Sequence, residues 1–175
     1  MVHELKSDSD SPAVTSSPLP KMTYEEFLAW YDESHHAEWV DGEVILMGPV
    51  SKRHQLLVSF LGALIQHWTE DRELGLSLIA PFQMKLSLRP SGREPDVLFI
   101  ARERLDLLTN NYLDGGADLA IEVISPDSRT RDRRDKYQEY EQAGVREYWI
   151  IDPISSTGSV LSAQLCGRVL PDCRR

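Results

Sequence analysis

Cysteine is nearly missing from this chain of 175 residues: there are two, Cys166 and Cys173, both near the C-terminus. One such pair makes neither a disulfide framework nor a four-ligand zinc site, so redox chemistry and structural zinc are set aside. The first twenty residues are rich in Ser, Pro and Asp and hold no apolar run that could be a signal-peptide core or a membrane span. A cytoplasmic protein with a disordered arm over residues 1–21 and no membrane partner is the expectation. Positive charge is also short. With 19 Lys and Arg against 28 Asp and Glu, the formal net charge is −9. This argues against broad nonspecific nucleic-acid binding, because lysines and arginines that displace counterions supply most of the affinity for a phosphate backbone. The local cluster Arg129, Arg131, Arg133, Arg134 and Lys136 runs the other way, although Asp132 and Asp135 interleave it and an ion-paired exposed helix is its plainer use.

What is present, 41% hydrophobic and 27% charged residues, supports one packed core and one domain. Thr23 to Glu26 forms a capping box that starts a short helix. Ala37 to Met47 reads as two extended pieces around Asp41-Gly42, a pair suited to the positive φ angles of a tight hairpin. From Ser51 to about Glu73, Leu57, Leu61, Leu64, Ile65 and Trp68 recur at helical steps and predict the longest helix, with these residues on its buried face. Phe82 to Arg89 alternates as a strand with one wet face, closed by a turn at Arg89-Pro90-Ser91-Gly92. Pro95 to Ile100 reads as a central strand, and a helical connector follows to Asp114-Gly115-Gly116. Leu119 to Ile124 is a further apolar strand, broken only by Glu122. A polar helix from about Arg129 to Ala143 ends at Gly144, and Tyr148 to Ile151 is the last clear strand, closed by Asp152-Pro153. The order predicts an α/β sandwich around a central mixed sheet flanked by helices.

Asp96 and Glu122 carry the chemistry in this pattern. Each is an ionisable group at the edge of, or inside, a strongly apolar strand, where an uncompensated charge would be expelled or neutralised. A bound cation is one compensation, and an arginine such as Arg129 or Arg133 beside Glu122 is the other. Magnesium accepts carboxylate and carbonyl oxygens together with waters, so Asp96, Glu122 and the backbone carbonyl of Val123 make a plausible open site. Such a site could hold a scissile phosphate and an attacking water. Position 124 is isoleucine, so a lysine to orient that water must come from outside the strand, and Lys136 on the following helix is the best placed. His54, near the start of the long helix, is either a packed core histidine or an auxiliary group at the site.

Several blocks in register resemble a known family. Glu38 to Glu43, His54, Pro95-Asp96-Val97, Glu122 to Pro126, Lys136 through Tyr140 and Gly144 to Pro153 are similar in order and spacing to the Uma-type family of endonucleases. That family falls within the PD-(D/E)XK restriction-endonuclease-like superfamily. The likeness runs from about Met22 to Pro153 and marks residues 22–153 as the domain. It implies a restriction-endonuclease-like fold, magnesium dependence with manganese as substitute, Asp96 and Glu122 as metal ligands, Lys136 as a migrated catalytic lysine and Glu38 as an auxiliary acid. By analogy it also implies a nucleic-acid substrate, DNA first, and a homodimer. Residues 154–175 depart from the family pattern: they show no clear alternation and read as an atypical tail, truncated or disordered. Two functions follow. One is a magnesium-dependent endonuclease that hydrolyses phosphodiester bonds with metal-activated water, and the other is a catalytically silent binding protein on the same scaffold.

Overall fold

The structure, a computed structural model, describes residues 19–31, 36–124 and 134–153 together with the backbone of 160–164. Residues 1–18 of the predicted arm and the basic residues Arg129, Arg131 and Arg133 lie outside the described residues.

Local signals act where they were expected. The Thr23 hydroxyl accepts from the Glu26 amide at 3.2 Å and the Glu26 carboxylate accepts from the Thr23 amide at 2.8 Å, which closes the capping box of helix α1, Tyr24–Trp30. Strands β1, Ala37–Val40, and β2, Glu43–Leu46, pair antiparallel across Asp41 and Gly42, whose φ angles are +50° and +89°. The Ser51 hydroxyl accepts from the His54 amide and caps α2, Lys52–Asp71, a helix of 20 residues.

The remaining elements are β3 (Gly75–Ile79), β4 (Gln83–Leu86), β5 (Ser91–Arg93), β6 (Val97–Ala101), a 3-10 helix (Arg102–Leu107), β7 (Tyr112–Asp114), β8 (Leu119–Val123), α3 (Lys136–Gln142), β9 (Glu147–Ile151) and β10 (Val160–Gln164). The α/β class and the flanking helices hold. The strands, however, divide over two mixed sheets: β2-β1-β5-β4-β7 and β10-β9-β8-β6-β3. The stretch read as a helical connector is a 3-10 turn plus β7, and part of the stretch read as a turn is β5. Within the stretch 154–175, Val160–Gln164 pairs antiparallel with β9.

Alternation along β6, β8 and β9 sends side chains to two cores. Leu98, Ile100, Ala120, Ile124, Tyr148 and Ile150 meet Met84, Leu86 and Leu113 of the other sheet and Tyr140 of α3. Val97, Ile121 and Val123 meet Val58 and Ile65 of α2 on the opposite face. The buried side of α2 is rotated from the expected one: His54, Val58, Gly62, Ile65 and Thr69 face inward, whereas Leu64 and Trp68 are each 49% exposed. Gly62 explains the rotation. A Cβ there would lie 2.6 Å from Ile79 Cγ2, so its absence lets the helix settle onto β3 along that line. Among the described residues no helix is long and apolar enough to cross a membrane.

Gly75, which opens β3, has φ +154°, and a Cβ there would meet the Ile100 carbonyl at 2.0 Å. Gly75→Ala is expected to lower the unfolding free energy by about 1–3 kcal/mol or more. Gly48→Ala, with nothing within 4 Å of its Cβ, is expected to be close to neutral. Urea denaturation of both variants checks the contrast.

Candidate active site

The site forms where the two sheets and α3 meet. Val97 on β6 is the register partner of Ile121 on β8, so Asp96, just before Val97, and Glu122, just after Ile121, stand at the same level of the sheet. Asp96 Oδ2 accepts from the Val123 amide at 2.6 Å, which fixes its carboxylate against the main chain beside Glu122. His54 Nε2 lies 3.2 Å from Asp96 Oδ1, carried there by the first turn of α2. The Asp96 side chain is 16% exposed, the open edge of this group.

Glu122 shares its face of β8 with Ala120 and Ile124, as its position in the strand predicts, and is buried. Its Oε1 accepts from Lys136 Nζ at 2.7 Å and from the Tyr140 hydroxyl at 2.9 Å. Lys136 and Tyr140 lie one helical turn apart on α3, and this spacing lets both reach the same oxygen. Lys136 Nζ also sits 2.8 Å from Glu38 Oε1. The structure thus brings Glu38, Glu122 and Lys136 into one contact group and joins Asp96 to it through Val123. His54 touches the group only through Asp96.

Sequence reasoning did not single out the layer behind these residues. Arg93 on β5 donates to Glu38 Oε2 at 2.8 Å and to both carboxylate oxygens of Glu139 at 2.7 Å. Arg89 Nη1 lies 3.3 Å from Glu139 Oε1. Glu94, next to Arg93, accepts from the Tyr31 hydroxyl and from Gln83 Nε2, and its amide donates to Glu38 Oε1 at 3.3 Å. The available signal was modest: Arg93-Glu94 directly precedes Pro95-Asp96, and Glu139-Tyr140 follows Lys136 by one turn.

Burial pushes the Glu38 carboxyl up, but Lys136 and then Arg93 outweigh it and hold the group down at about 2. Burial, then the charges of Glu122 and Glu38, push the Tyr140 hydroxyl well above its ordinary value, so it remains a donor. Burial raises the Glu94 carboxyl as well, against the hydrogen bonds from Tyr31 and Gln83.

Two carboxylates on adjacent strands and a main-chain carbonyl at Val123 are hard oxygen donors, a set that suits magnesium. Among the described residues no group of three or more His, Cys, Asp or Glu side chains is gathered to enclose a cation. An ion held by Asp96 and Glu122 would therefore keep several waters, as magnesium commonly does.

Removing Lys136 would leave Glu38 and Glu122 facing each other in a buried site. Lys136→Met is expected to lower stability by about 3–5 kcal/mol at neutral pH. The depressed Glu38 carboxyl stabilises the fold fully above its ordinary value of 4.5, and that contribution is lost as pH falls toward 2. Glu38→Gln is expected to flatten the fall in stability across this window by roughly 3 kcal/mol, read from chemical denaturation at a series of pH values.

A sequence model of the Uma2 family, described as "Putative restriction endonuclease", matches residues 24–171. A protein of Synechocystis sp. named "Uncharacterized protein slr1290" is 27% identical over 145 residues, which span 81% of this chain and 73% of that protein. The crystal structure of a "putative nuclease belonging to DUF820" from Anabaena variabilis superposes with a TM-score of 0.65 at 18% identity, over 75% of this chain and 74% of the other. At that identity the likeness concerns the fold. Because the family match covers most of the sequence, from α1 through β10, the chain belongs to the Uma2 family of restriction-endonuclease-like proteins.

Proposed function

We propose that this protein is a magnesium-dependent endonuclease that hydrolyses phosphodiester bonds of nucleic acid, DNA in the first instance, with manganese able to replace magnesium. The observation that carries the reading is the meeting of Glu122 on β8 with Lys136 on α3 at 2.7 Å, beside an Asp96 held against Val123. It supplies a lysine to an acidic pair whose own strand has isoleucine at position 124.

Asp96, Glu122 and the Val123 carbonyl would hold the ion, with Asp96 as the side chain nearest to solvent. The ion, when bound, would acidify a water and offset charge on the phosphoryl oxygens. The protein's own groups do the rest. The Val123 amide and His54 orient Asp96, and Tyr140 and Lys136 orient Glu122. Lys136 would be the cationic group that orients the attacking water and offsets developing negative charge. Glu38 holds Lys136 from the side opposite Glu122 and is itself fixed by Arg93.

A second reading, a scaffold that binds without cutting, is favoured by one observation, the formal net charge of −9. Nicking of supercoiled DNA separates the two. With magnesium or manganese the wild type is expected to nick and a chelator to abolish nicking. Asp96→Asn, Glu122→Gln and Lys136→Met are each expected to lose at least about a hundredfold in rate. A folded wild type as inert as the Asp96→Ala plus Glu122→Ala variant would leave the binding reading.

A further inference from the structure

One flank of α2 carries large apolar side chains that the fold leaves in water. Leu56, Phe60, Leu64 and Trp68 recur at four-residue steps and are 60%, 62%, 49% and 49% exposed. Such steps form a continuous ridge along a helix. Together the four expose roughly 400 Å² of apolar surface, at the size where a patch on a soluble chain marks an interaction site.

Charge along α2 runs against its own macrodipole. Lys52 and Arg53 occupy the first turn, where anions are favoured, and Glu70 and Asp71 the last, where cations are favoured. Arg53 and Asp71 are separated by five full helical turns, so they lie on one line of the helix surface, with Phe60 close to that line between them. The midpoint between Arg53 and Asp71 is position 62. It is also the midpoint between Leu56 and Trp68 and between Phe60 and Leu64.

We propose that the chain forms an antiparallel homodimer through α2, with its two-fold axis passing the level of residue 62. In that arrangement Phe60 meets Leu64 of the partner subunit and Leu56 meets Trp68 of the partner subunit. Arg53 meets Asp71 of the partner subunit at each end. The occupant is a second copy because the flank is complementary, in both apolar order and charge, to itself run backwards, as an isologous interface requires. The helix is about 30 Å long, and its apolar ridge supplies about half of the roughly 800 Å² per partner of a standard interface. The dimer does not rest on the nuclease reading.

Sedimentation of the full chain tests it. The wild type is expected to be a dimer. Phe60→Asp is expected to dissociate at least about a hundredfold more readily while keeping the wild-type circular-dichroism spectrum of a folded chain, since Phe60 is already largely exposed. Arg53→Asp and Asp71→Arg alone are each expected to weaken the dimer about tenfold, whereas an equimolar mixture of the two recovers wild-type affinity, because only the mixed pair sets opposite charges together at both ends. A monomeric wild type, a dimer that survives Phe60→Asp, or a mixture no tighter than the single variants would overturn the proposal.

Discussion

Lys136 is the cation on which the organisation of the site depends. Its ammonium reaches Glu38 on β1 and Glu122 on β8, and these strands belong to different sheets. Arg93 on β5 repeats the device by clamping Glu38 to Glu139 of α3. One short helix is thus tied by ions to both sheets at the level where Asp96 and Glu122 come side by side. The apolar core around Tyr140 and Tyr148 fixes the distance between the layers. The ion pairs fix which charged atoms face each other within it.

Such a network is an expensive way to hold a fold together. Desolvating Glu38, Lys136, Arg93, Glu139 and Glu122 costs free energy that their mutual attraction only roughly offsets, and apolar residues of similar size would serve stability as well or better. Perturbed ionisable groups concentrated at one place are more common at functional sites than in purely structural cores. The direction of the Glu38 shift fits this view. Its neighbours hold it anionic despite complete burial, and an anionic Glu38 keeps Lys136 in place beside Glu122.

The parts of this structure legible in the sequence are those set by neighbours in the chain. The Thr23 capping box, the Asp41-Gly42 hairpin and the long helix depend on contacts a few residues apart, and the strands around Asp96 and Glu122 show as apolar runs within their own segments. The division into two sheets was not legible, because β5 and β7 are three residues each and exist only through partners such as Gln83 opposite Tyr112. The same holds for Arg93, whose partners Glu38 and Glu139 are 55 and 46 residues away. On α2 the period was visible but the phase was not. Gly62 and Ile79 decide which side settles on the sheet, and that choice leaves Leu64 and Trp68 in water. Lys136 lay between these cases, since its spacing from Glu122 is short enough to suggest a return over the strand.

Family membership gives the scaffold, and the chemistry rests on whether Asp96 and Glu122 hold a metal ion while Lys136 stays beside them. The most direct measurement is anomalous scattering from crystals soaked in manganese. The expected result is a peak about 2 Å from carboxylate oxygens of both Asp96 and Glu122, absent in the Asp96→Asn variant. A well-ordered crystal in which this position stays empty at saturating manganese, or in which the ion binds only elsewhere, would contradict a metal-dependent role for the pair.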